Sequence, residues 1–182
     1  MNLEEKVSKR EMVYQGKKLN VVVEDVLLPD GNTAKREFVN RRAGAAILAL
    51  NQDQQVLVIE KFQHPFEKIV TTLPYGRQQG QETLLETAKR ELQDKTGYTA
   101  LEWVPLGGMM PAPAYSDEVV ALFLAAHLKP GDPHWEADEF LNVKTLPLKE
   151  FFRLCDDGTI LDARTILAAY RLRAYLQEAT GK

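Results

Sequence analysis

The stretch that most constrains this chain is residues 72–98, TLPYGRQQGQETLLETAKRELQDKTGY. It reads as the end of a strand, an open loop and one short helix. Leu73-Pro74-Tyr75-Gly76 ends the apolar run before it, because Pro and Gly break regular structure. Gly80 keeps the loop open. Thr83-Leu84-Leu85-Glu86 has the capping-box pattern, in which hydroxyl and carboxylate each satisfy a free N–H at a helix start. Leu84, Leu85, Ala88 and Leu92 recur at helical spacing as an apolar stripe. Gly97 stops the helix as a residue free to adopt positive φ. The opposite face carries Thr87, Arg90, Glu91, Asp94 and Lys95.

Gly76, Glu82, Arg90, Glu91, Leu92, Gly97 and Tyr98 fall in register on the pattern G-x5-E-x7-R-E-U-x-E-E-x-G-U, with U apolar. The stretch therefore resembles the signature box of the Nudix hydrolase family. That resemblance implies cleavage of a diphosphate attached to a nucleoside, with Mg²⁺ or Mn²⁺ as cofactor. Hard cations take oxygen ligands, and carboxylates at i, i+3 and i+4 share one helical face. Such metals shield the diphosphate and activate a water. The resemblance makes Glu91 a metal ligand and catalytic carboxylate, and Arg90 the guanidinium that orients the box glutamates. Glu82, Asp94 and the Tyr75 carbonyl are further implied ligands. Two positions depart from the pattern. Asp94 is one methylene shorter than the family's glutamate, and Lys95 places an ammonium at the second principal ligand position. A Lys four residues after a Glu forms a helical ion pair, so Lys95 is expected to sit on Glu91 and occupy the cation site itself.

A chain of 182 residues suggests one domain with a small appendage. Its 45% hydrophobic and 27% charged residues are an ordinary globular balance. The net charge of −3, without a basic block, argues against nucleic acid as partner. A single cysteine, Cys155, excludes an internal disulfide. With no signal-peptide pattern and no membrane-length apolar run, the expectation is a cytoplasmic chain with no membrane partner.

Residues 1–10 read as a short charged helix or frayed tail. Lys9–Leu28 alternates like strand about a turn at residues 15–18, and the Asp30-Gly31 turn returns the chain through Thr33–Asn40. This makes residues 1–42 an N-terminal hairpin segment and 43–182 the main domain. There, strands are expected over Gly44–Leu50, Val56–Phe62, Lys68–Leu73, Ala100–Leu106, Val119–Leu128 and Phe140–Lys144. Residues 107–116 read as loop. Leu148–Cys155 reads as helix. Asp162 is placed to cap a last helix whose apolar side includes Ile166, Leu167, Tyr170 and Leu176. Strands mixed with few helices give an α/β (α+β) layered domain. The resemblance specifies a mixed β-sheet between helices plus a small antiparallel sheet.

Three further segments resemble the ADP-ribose pyrophosphatase branch. Residues 111–118, PAPAYSDE, resemble its P-G-x-S-D-E loop, which implies substrate contacts from Pro113, Ser116, Asp117 and Glu118; a proline-stiffened loop is the alternative. Glu139, beside Glu136 and Asp138, resembles a late acidic loop that carries a candidate base; a solvated acidic turn is the alternative. Residues 59–65, IEKFQHP, resemble V-R-Q-Y-R-x-P with both arginines replaced, by Glu60 and by Gln63 at a substrate position. Arginine is the residue suited to bidentate phosphate binding, so a clamp is missing. Thr72 stands where the branch has a glutamate near the metals. His64, His127 and His134 lack ligand spacing. Trp103 is expected to cover the sheet and Trp135 to be a surface ring.

The implied reaction is hydrolysis of ADP-ribose, or a similar nucleoside diphosphate sugar, to AMP and a sugar phosphate. Substitutions at Thr72, Lys95, Glu60 and Gln63 make weak or absent turnover the expectation. The chain then reads as an altered hydrolase, a non-catalytic nucleotide-binding module or a dimeric interaction protein. A homodimer formed through the N-terminal hairpin is expected.

Overall fold

The structure, a computed structural model, describes residues 2–180. The chain divides into two compact units, one running to Arg42 and including Met110–Val119, the other Ala43–Met109 with Val120 onward. In the first, β1 (Lys6–Gln15), β2 (Asn20–Leu27) and β3 (Thr33–Asn40) form an antiparallel sheet in that order. Val22, Glu24 and Val26 of β2 are buried, and Arg10 donates to the Glu24 carboxylate. The expected helix or tail over residues 1–10 is therefore wrong from Lys6 onward. Every residue of β1 is exposed. The strand read from Lys9 onward thus starts three residues earlier, with register shifts at Val7/Lys9 and Met12/Tyr14.

The second unit holds seven strands: β4 (Gly44–Leu50), β5 (Gln55–Gln63), β6 (Lys68–Thr72), β7 (Tyr75–Arg77), β8 (Thr99–Met109), β9 (Val120–Lys129) and β10 (Leu141–Pro147). Their path is β10-β5-β4-β9-β8, with β6 on β5 and β7 on β4. β4 and β9 run parallel while the other pairs are antiparallel, so the sheet is mixed. β8 runs on through Gly107 to Met109, beyond the expected start of loop, with a register irregularity between Pro105 and Gly108.

The helices α1 (Leu84–Thr96), α2 (Leu148–Asp156) and α3 (Ala163–Thr180) complete this unit. The continuous apolar run of β4 follows from burial on both faces. Ala45, Ile47 and Ala49 pack with Ala88 and Leu92 of α1. Ala46 and Leu48 point the other way, into a core with Phe151 of α2 and Ala168, Ala169 and Leu172 of α3. This is the expected mixed sheet between helices. Tyr170 does not belong to the buried face of α3: it is exposed, and small Ala168 and Ala169 let the helix approach closely. Among the described residues, no helix is long and apolar enough to cross a membrane.

Candidate active site

The site is assembled where β7 and α1 meet. Thr83 and Glu86 close the capping box in both directions, Glu86 N–H donating to Thr83 Oγ1 at 3.2 Å and Thr83 N–H to Glu86 Oε2 at 2.7 Å. Gly97 ends the helix at φ 77°. On the face opposite the apolar stripe, Thr87 and Glu91 are buried. Glu91 lies directly on Gly76. A Cβ at Gly76 would stand 1.8 Å from the Glu91 carboxyl carbon, so only a residue without a side chain fits below this carboxylate.

Arg90 binds three partners at once. It donates to Glu82 Oε1 at 2.6 Å through Nε, to Glu91 Oε1 at 2.7 Å through Nη1, and to the Arg77 carbonyl at 3.0 Å through Nη2. The guanidinium fork thus ties strand, loop and helix together. Glu82 also accepts from Gln79 N–H at 3.0 Å and Thr87 Oγ1 at 3.1 Å. The hydrogen bond from Arg90 holds the Glu82 carboxyl down at about 2. In turn, Glu82 above all raises the pKa of Arg90.

Lys95 occupies the middle of the remaining carboxylates. Its Nζ donates to Glu139 Oε2 at 2.7 Å and stands 3.7 Å from Glu91 Oε2. Burial opposes the charge, but the hydrogen bond to Glu139 and the charges of Glu91 and Glu139 outweigh it, raising the lysine pKa. Glu139 arrives on a loop fastened to the C-terminal turn of α1. His134 N–H donates to the Asp94 carbonyl at 2.9 Å, and the Trp135 indole donates to the Lys95 carbonyl at 3.0 Å. These donors satisfy carbonyls that a helix end leaves unpaired. At Gly97 a Cβ would come within 2.4 Å of the Gly131 carbonyl, so the same glycine that ends the helix admits this loop. Sequence reasoning did not find this anchoring. Its partners lie about forty residues apart, and no local pattern marks them.

Glu82, Arg90, Glu91, Asp94, Lys95 and Glu139 are thus linked in one network, Asp94 lying 3.5 Å from Arg90 Nη1. Other candidates take different partners. Thr72 is buried and its hydroxyl lies 3.1 Å from Asp162 Oδ2, the same oxygen that caps α3 by accepting from Thr165 N–H at 3.0 Å. Tyr75 pairs with Ala46 along the sheet, and its ring lies 4.2 Å from the Arg164 guanidinium. Glu60 accepts from Lys144 at 2.7 Å on the neighbouring strand. Gln63 ends β5 at a short 3₁₀ turn, His64–Phe66. In the first unit, Asp117 accepts from Arg41 N–H at 2.7 Å and binds the Asn40 amide, fastening residues 111–118 to β3. Glu118 pairs with Arg41 at 3.5 Å, Glu118 N–H donates to Ser116 Oγ at 3.2 Å, and Pro113 is exposed.

A divalent ion would need several convergent oxygens. Glu91 Oε1 and both Glu82 oxygens are engaged by Arg90, and the buried Glu91 Oε2, which accepts no hydrogen bond, faces the Lys95 ammonium. Among the described residues no three His, Cys, Asp or Glu side chains are grouped to hold a metal. The residues as arranged do not fit a divalent ion.

A mixed sheet between helices thus carries a capped helix whose Arg90–Glu91 pair is locked over the strand glycine Gly76. The chain belongs to the Nudix family: the NUDIX domain model matches residues 40–168. Over 180 residues it is 33% identical to the ADP-ribose pyrophosphatase of Bacillus subtilis (strain 168), covering 98% of this chain and 96% of the relative. It is also 33% identical over 180 residues to the methanol dehydrogenase activator of Bacillus methanolicus, covering 97% and 95%. A crystal structure of an ADP compounds hydrolase superposes with a TM-score of 0.86 at 21% identity, covering 98% of each chain.

Proposed function

We propose that this protein recognises a nucleoside diphosphate sugar or related compound, ADP-ribose being the leading candidate, and hydrolyses it weakly or not at all. Similarity to an ADP-ribose pyrophosphatase over nearly the whole chain supports the ligand class. One observation carries the weak activity: Lys95 Nζ lies 2.7 Å from Glu139 and 3.7 Å from Glu91, the two carboxylates with candidate catalytic roles. Mg²⁺ or Mn²⁺ is the cofactor that the family implies, but the donor set described above does not favour it. Arg90 and Glu82 act as positioning residues for Glu91, while Asp94, 3.5 Å from Arg90 Nη1, is a further candidate metal ligand on the helix. Pro113, Ser116, Asp117, Glu118 and Gln63 are proposed substrate contacts, and the Tyr75 carbonyl a vestigial ligand position.

A second reading, a dimeric interaction protein, draws support from the equal identity to a methanol dehydrogenase activator. For either reading we propose a cytoplasmic homodimer joined through residues 1–42. Exposed Val7, Met12, Val13 and Tyr14 on β1 support that surface. Light scattering that returns a monomer mass would remove it.

The functional test is turnover of ADP-ribose with Mg²⁺ or Mn²⁺, read as AMP formed, beside thermal shift with ADP-ribose in EDTA. A native-state ligand raises the melting point. The expected result is a shift with turnover well below the usual enzyme range of roughly 1–10³ per second. Turnover within that range refutes weak activity, and no shift with any nucleoside diphosphate sugar refutes the ligand class.

A further inference from the structure

We propose that Lys95 is the resident cation of this site, excluding a divalent ion from it and latching the 130–140 loop onto α1. The inference rests on reading this network as the family's catalytic centre, and it concerns how that centre is filled. The ammonium touches two carboxylates from distant parts of the chain, Glu91 on the helix and Glu139 on the loop. All three side chains are largely withdrawn from water, with 16%, 7% and 13% exposure for Lys95, Glu91 and Glu139. Two carboxylates held this far from water need a compensating charge. Arg90 compensates Glu91 from one side, on Oε1; Lys95 is the nearest cation on the Oε2 side and the hydrogen-bond partner of Glu139.

A lysine at this position acts differently from a glutamate in two ways. Lysine has three donors and no acceptor, so its ammonium cannot ligate a metal. It also repels a cation brought to the same carboxylates. Its position couples occupancy to loop order. Beside an approach of His134 Nδ1 to Asp94 Oδ1 at 3.8 Å, Asp94 and Lys95 make three hydrogen bonds with the loop: His134 N–H on the Asp94 carbonyl, the Trp135 indole on the Lys95 carbonyl, and the Lys95 ammonium on Glu139. Only the last depends on the side chain. Removing the ammonium therefore frees the Glu139 end of the loop and leaves its Trp135 end attached.

The test compares wild type, Lys95→Glu and Lys95→Ala, using Mn²⁺ alone as probe. Metal binding is read by titration calorimetry and Mn²⁺ electron paramagnetic resonance, and loop order by hydrogen exchange of residues 130–140. The expected result is weak Mn²⁺ binding in wild type. Lys95→Glu should bind at least about tenfold tighter than wild type, equivalent to about 1.4 kcal/mol, and Lys95→Ala should fall between. Amides near Glu139 should exchange faster in Lys95→Ala without metal. Wild-type Mn²⁺ affinity equal to that of Lys95→Glu overturns the proposal. So does Lys95→Ala that leaves both affinity and exchange unchanged. If Lys95→Glu does not fold, Lys95→Ala and Lys95→Gln decide on the same readouts. ADP-ribose thermal shift in EDTA is scored separately: its absence counts against the ligand class and leaves the Mn²⁺ comparison standing.

Discussion

Replacing Gly76 by Ala is the sharpest probe of how this site is built. The new Cβ would lie 1.8 Å from the Glu91 carboxyl carbon and 1.9 and 2.1 Å from its two oxygens. No real carbon tolerates such contacts, so the carboxylate must move. Glu91 is only 7% exposed in its side chain and is held by Arg90 Nη1 at 2.7 Å, so moving it breaks a shielded charge-assisted hydrogen bond. Bonds to charged groups contribute about 1.5–3 kcal/mol. Gly76→Ala should therefore destabilise the protein by about 2–3 kcal/mol, and each kcal/mol lowers Tm by roughly 2–4 °C in a protein of this size. The cost should largely vanish when Glu91 is already Ala, because the three atoms nearest the new methyl all belong to its carboxylate. Gly in a strand is less favourable than Ala by roughly 0.5–1 kcal/mol, so Gly76→Ala in the Glu91→Ala background should be neutral or slightly stabilising. Urea denaturation of the wild type, both single variants and the double variant measures this coupling. An equal cost of Gly76→Ala in both backgrounds would refute the reasoning and place the clash in the backbone.

Three other outcomes follow from the same contacts. Glu82 has a folded pKa near 2 against 4.5 for the free group, so its contribution is full above about pH 4.5 and is lost as pH falls toward 2. The stability gap between wild type and Glu82→Gln should accordingly shrink between urea titrations at pH 6 and pH 3, whereas a pH-independent gap would contradict it. Asp162→Ala removes the cap of α3 and the partner of two hydroxyls, Thr72 and Thr165; loss of the cap and stranded buried groups should together cost about 2–4 kcal/mol by chemical denaturation. Trp135→Phe keeps the ring but deletes the indole donor to the Lys95 carbonyl, so amides around residue 135 should exchange faster with global stability within about 0.5 kcal/mol.

Local physics made much of this protein legible in its sequence. The capping box and the Gly97 stop depend on residues a few positions apart and formed as read, whereas of the apolar stripe of α1 only Ala88 and Leu92 are buried. β4 was legible because burial on both faces demands an unbroken apolar run, and GAAILAL is such a run. Lys95 beside Glu91 was legible because helical spacing places i and i+4 together. β1 was legible only from Lys9 onward; its first residues, Lys6–Ser8, are charged, polar and exposed and leave no hydrophobic period to read. Tertiary structure alone decided the rest. It brought Glu139 onto Lys95 across 44 positions, set Thr72 against Asp162 across 90, and laid the Glu91 carboxylate on Gly76. The reason is physical. Propensity and periodicity act over a few residues, whereas the partner of a buried charge is chosen by which segments the folded sheet and helices bring within a few ångströms.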